Sequence, residues 1–100
     1  MPYYVYILFS PSTKLFYKGQ TNDVSARLKR HNSRLEKATQ SGAPWMLIWS
    51  TVKQSRKEAI ALELKLKNLD QNRLVKLMLK YSDDVVGPDA MTLLRQWSGC

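Results

Sequence analysis

Five side chains in this 100-residue sequence carry the groups needed to break an anionic ester. They are the phenols of Tyr6 and Tyr17, the guanidinium of Arg27, the imidazole of His31 and the carboxylate of Glu63. An arginine holds phosphate oxygens bidentately and stabilises charge developing on them. A hard cation such as Mg²⁺ takes oxygen ligands, often only one or two carboxylates, and is completed by water and phosphate oxygens. One inward-facing Glu63 is enough for that role. The nucleophilic water needs a base, and a tyrosine near a cation and an arginine has its pKa drawn down towards that use. His31 can orient such a phenol or relay its proton. Each residue also has a plainer reading: strand tyrosines mostly pack, and Glu63 can pair with Lys67 one helical turn on. Other chemistries lack their parts. Four scattered glycines make no phosphate-cradling loop, one histidine makes no multi-histidine metal site, and no nucleophile elbow supports a serine triad. The single cysteine, Cys100, excludes an internal disulfide and a cysteine-cluster zinc site, and its terminal position suits no nucleophile.

The elements that position these groups follow from periodicity. In YYVYILF, Tyr3, Val5, Ile7 and Phe9 point one way and Tyr4, Tyr6 and Leu8 the other. Ser10-Pro11-Ser12-Thr13 has turn chemistry, and LFYKG follows as a second strand. A hairpin symmetric about Pro11/Ser12 places Tyr6 opposite Tyr17, Leu8 opposite Leu15 and Tyr4 opposite Gly19, so both phenols share a face. Gly19 is a point where backbone can approach a ligand closely. A helix then runs to about His31, capped by Thr21 or Asn22, with Asp23 in its first turn. Val24 and Leu28 form its apolar stripe. Arg27 and His31, four apart, stack on one face beside it, while Lys29 and Arg30 look solvated. Residues 33–43 read as a basic loop with room for one helical turn. Pro44 introduces a third strand, WMLIWST.

Ser55 and Glu58 make a capping box for the next helix. Ala59, Leu62, Leu66 and Leu69 form its main apolar stripe, and Ile60 and Leu64 a second. Arg56, Glu63, Lys67 and Asp70 lie between the two, and a carboxylate there is costly unless it is paired or binds a cation. A further amphipathic helix packs through Leu74, Leu77, Met78 and Tyr81. A short terminal helix covers an apolar edge with Met91, Leu94 and Trp97. The reading is a single domain over 1–100, with a core at 2–80 and a helical extension at 81–100.

Sixteen Lys/Arg against eight Asp/Glu give +8, and residues 1–80 hold fifteen of the basic residues and five of the acidic. A surface this basic points to nucleic acid, because phosphate binding releases counterions. The apolar runs are too short to cross a membrane and the N-terminus reads as a strand, so the expected location is cytoplasmic.

YVY at 4–6, YKG at 17–19, Arg27, His31 and Glu63 within AIALELKLK together resemble the GIY-YIG nuclease superfamily. The chain is most similar to its small stand-alone members, which are akin to the N-terminal domain of the excinuclease incision subunit. The resemblance covers residues 2–80. It implies an α/β fold of the α+β kind: a three-stranded antiparallel sheet flanked by three to five helices. It also implies cleavage of DNA with one Mg²⁺ or Mn²⁺. In that frame Tyr6 and Tyr17 are the motif tyrosines and Gly19 the structural motif glycine. Arg27 holds phosphate, His31 supports the phenols and Glu63 is the metal ligand. Lys18, Arg30, Arg34, Lys37 and Lys67 are candidate nucleic-acid contacts, with DNA the expected polymer and RNA the alternative. The sequence departs from the pattern at Tyr4, where the first motif has glycine, and at Lys18, where the second has an aliphatic residue. Asn68 and Asn72 are candidates for a late asparagine. An inactive nucleic-acid-binding module on the same fold is the second hypothesis. A small interaction subunit docking a partner through its apolar tail is the third.

Overall fold

The computed structural model describes residues 2–98. Cys100 lies outside them. The elements run β1 (Tyr3–Phe9), β2 (Phe16–Thr21), α1 (Val24–Asn32), β3 (Met46–Lys53), α2 (Arg56–Lys67), α3 (Gln71–Lys80) and α4 (Gly87–Ser98). Short 3₁₀ turns lie at Gln40–Gly42 and Ser82–Asp84. The sheet is antiparallel with order β2-β1-β3, so β1 is central.

Both faces of β1 are covered, which explains its nearly unbroken burial. Val5, Ile7 and Phe9 enter the main core with Ile48, Trp49, Ala59, Leu66, Leu74, Val75, Met78, Ala90 and Leu94. Helices α2, α3 and α4 therefore cover this face. Tyr6 and Leu8 enter a second cluster with Ala43 and Trp45, backed by Tyr17, Leu28 and Leu47. Alternation thus gives one strand two jobs: its odd residues build the core and its even residues build the site wall. The β1–β3 register slips between Ile7 and Leu8, so consecutive Ile48 and Trp49 both reach the main core.

The hairpin departs from the symmetric expectation. Tyr6 pairs with Gly19, Leu8 with Tyr17 and Tyr4 with Thr21. The turn is longer than four residues: Ser10 N–H donates to Leu15 O at 3.0 Å and Lys14 N–H to Ser10 O at 2.8 Å, with Lys14 left-handed at φ 61°. Leu15 is left outside the strand and exposed. The slip is two places, an even number, so Tyr6 and Tyr17 still share a face.

Three smaller readings also change. Asp23, not Thr21 or Asn22, caps α1, accepting from Ala26 N–H at 3.0 Å; Thr21 instead accepts from Asp23 N–H. Ile60 and Leu64 are exposed, because the core needs only the Ala59–Leu66 side of α2. Tyr81 is exposed too, and Val75 takes the buried place in α3. Ser55 does cap α2 by accepting from Glu58 N–H. No helix among the described residues is long and apolar enough to cross a membrane.

Candidate active site

The site is organised around the hydroxyl of Tyr6. Its ring lies on the backbone of Gly19, directly across the ladder: a Cβ at Gly19 would stand 2.6 Å from Tyr6 Oη and 2.7 Å from Cζ. The close approach expected at Gly19 is thus made by the Tyr6 ring. Tyr17 packs beside it, with centroids 6.3 Å apart.

Helix α1 brings His31 and Arg27 to the same phenol. His31 is buried, and its Nε2 lies 3.0 Å from Tyr6 Oη. Tyr17 meets the His31 ring edge-on at 4.9 Å between centroids. The Arg27 guanidinium is near enough to Tyr6 to favour its phenolate, while its Nε is buried with no hydrogen-bond partner among the described residues. Burial pushes the Tyr6 phenol up to about 12, and Tyr17 and Glu63 add to the rise; the contact with Arg27 opposes it. A phenol this weak stays protonated at neutral pH. His31 is held below its usual value, first by burial and then by Arg27, so its ring is neutral.

Glu63 sits on α2 with its side chain 17% exposed, and its charge reaches the Tyr6 hydroxyl. Lys67 is 3.7 Å away, a loose pairing that leaves the carboxylate oxygens room for another ligand. No group of three or more His, Cys, Asp or Glu gathers among the described residues. A lone carboxylate such as Glu63 is the kind of donor a hard cation takes, with water and substrate oxygens completing its shell.

The other predicted residues divide. Lys18 and Lys67 lie close enough for Lys67 to lower the Lys18 pKa, after burial as the larger cause. Arg30 is not merely solvated. It pairs with Glu36, which also lies 3.9 Å from Arg27. Arg34 and Lys37 are exposed on the loop, Arg34 at a left-handed φ of 64°. Asn68 is the C-cap of α2, and Asn72 lines a cleft of about 550 Å³ with Phe9, Lys14 and Trp97.

Sequence reasoning missed Glu36, Asn32 and Thr39. Glu36 is the one acid in the 33–43 loop, and that oddity was the available signal. Asn32 clamps the Trp45 backbone, donating to its carbonyl and accepting from its N–H. Trp45 Nε1 in turn donates to Thr39 O at 2.8 Å. Nothing local in the sequence marks Thr39.

A small antiparallel sheet here carries paired phenols, with an arginine and a histidine from one helix and a carboxylate from another, groups whose chemistry suits an anionic ester. Residues 2–76 match the family model described as the GIY-YIG catalytic domain, and the chain belongs to that family. The solution NMR structure of a UPF0213 protein from Bacillus halodurans is similar, at 32% identity and a TM-score of 0.53, over 92% of this chain and 94% of that one. A search of curated proteins finds no match. The family is one of nucleases that act on DNA and generally use divalent metal ions.

Proposed function

We propose that this protein is a divalent-metal-dependent DNA endonuclease, directed to damaged or branched DNA. What supports this reading is the grouping of His31 and Tyr17 about the Tyr6 phenol, with Arg27 and Glu63 near enough to bear on its ionisation. Tyr6 is the general base. A phenol raised to about 12 is a poor reservoir of phenolate, so it takes a proton from water only while passing its own to His31 Nε2, 3.0 Å away. The activated water forms a bond to phosphorus as the bond to the leaving oxygen breaks, and solvent protonates that oxygen. Arg27 donates to the non-bridging oxygens as their charge grows. Tyr17 orients the water and the phosphate. Glu63 would hold the Mg²⁺ or Mn²⁺ ion, whose chemistry is to neutralise charge on the phosphate and the leaving oxygen.

Lys18 and Lys67 on one side, and Arg30, Arg34 and Lys37 on the other, hold flanking phosphates and set the duplex position. A groove of about 500 Å³ along Ala26, Arg27, Lys29, Arg30, Ser33 and Leu35 offers the backbone a track next to Arg27. The protein works in the cytoplasm.

Arg27→Ala and Glu63→Gln test the reading against an inactive binding module. Wild type should nick plasmid or branched DNA in Mg²⁺ while both variants stop. Salt-dependent binding by a wild-type protein that cuts nothing would leave only the binding module.

A further inference from the structure

We propose that Thr39 is a positioning residue of this site, whose hydroxyl fixes the His31 tautomer able to receive the Tyr6 proton. The inference rests on the nuclease reading above. The far end sets the direction of the hydrogen-bond chain. Tyr6 Oη lies 3.0 Å from His31 Nε2, and a phenol that takes a proton from water must aim its own proton at that nitrogen. An Nε2 that accepts carries no proton, so the neutral ring is protonated on Nδ1. Nδ1 lies 2.9 Å from Thr39 Oγ1.

At the far end stands a backbone carbonyl, an acceptor only. Thr39 Oγ1 lies 3.4 Å from Glu36 O, so its proton goes there and its lone pairs face His31. Thr39 is itself anchored: its carbonyl accepts from Trp45 Nε1 at 2.8 Å and from Gly42 N–H at 3.1 Å, and its N–H donates to Glu36 O at 3.1 Å. His31 and Thr39 are 1% and 2% exposed, so solvent does not compete for the ring nitrogens or the Thr39 hydroxyl. With the opposite tautomer, Nε2–H would donate to the phenol oxygen. The Tyr6 proton would lose its acceptor, and the water proton its route.

Thr39→Val keeps the shape and removes the acceptor; Thr39→Ser keeps the hydroxyl. Nitrogen-15 NMR of the full chain reads the ring directly, because His31 is the single histidine. Wild type and Thr39→Ser should show the proton on Nδ1. Thr39→Val should shift the ring towards Nε2–H and lose about 10–100-fold in cleavage rate, by analogy with the loss of a partner that orients a metal-bound imidazole. A wild-type ring protonated on Nε2, or a Thr39→Val protein with wild-type tautomer and rate, overturns the inference. If Thr39→Val does not fold, the wild-type and Thr39→Ser spectra still decide it. Absent cleavage in wild type counts against the nuclease reading alone, since the spectra need no DNA.

Discussion

Replacing Gly19 by alanine is the sharpest probe of how the phenol is seated. The new methyl would stand 2.6 Å from Tyr6 Oη, 2.7 Å from Cζ and 3.1 Å from Tyr17 Cε2. The first two gaps are well inside van der Waals contact. Tyr6 cannot swing away cheaply, because it is 1% exposed and bonded to His31. Gly19 has no left-handed φ, so the cost is spatial and not conformational. Overpacking of this kind costs about 1–3 kcal/mol. In a domain of this size that lowers Tm by roughly 4–20 °C. A phenol displaced by about 1 Å also misses its partner, which predicts a loss of about 100-fold in cleavage. Circular-dichroism melts of Gly19→Ala, Tyr6→Ala and the double variant form a cycle in which Tyr6→Ala relieves the clash. A Gly19→Ala protein that melts and cleaves like wild type would refute the placement of the Tyr6 ring.

Other predictions follow the same reasoning. Because the folded His31 pKa lies below 6.5, stability and relay capacity are present above that pH and lost as pH falls through the folded value; denaturant midpoints against pH should fall on the acid side in wild type and less in His31→Gln. The raised Tyr6 pKa acts at the other end: its contribution holds below about pH 10 and fades as pH rises towards 12, so one phenol should ionise late in an ultraviolet titration. Glu36→Gln removes the carboxylate shared by Arg27 and Arg30, so DNA should bind more tightly with a salt slope steeper by about one ion; unchanged anisotropy titrations would count against Glu36 as a competitor for phosphate. Leu94→Ala should cost about 2–5 kcal/mol by urea unfolding, since Leu94 is wholly buried in the main core although it lies beyond the family match.

The sheet and helices were legible because their local signals are strong. YYVYILF is a short, unbroken run of β-prone residues, and the Ser55–Glu58 cap announces α2. The hairpin register was not legible, because Lys14 adopts a left-handed turn that no glycine advertises. Its parity survived, and parity alone puts Tyr6 and Tyr17 on one face. The second stripe on α2 misled because Ile60 and Leu64 are apolar but face outward; only tertiary packing decides which side of a helix is covered. The shared face of Arg27 and His31 was visible in their spacing of four, whereas the meeting of His31 with Tyr6 is long-range and was expected only from the family resemblance. Thr39 and Glu36 reach the site through loop geometry, which has no period to read.

A cleavage screen decides whether Glu63 and a divalent ion are needed for incision. Wild-type protein would be given flaps, junctions, nicked, damaged and single-stranded DNA, in Mg²⁺ and in EDTA, beside Glu63→Gln. Wild type should incise at least one structured substrate in Mg²⁺ and none in EDTA, and Glu63→Gln should incise none. Salt-dependent binding to these DNAs with no incision, or incision by Glu63→Gln equal to wild type, would contradict the metal-dependent nuclease reading.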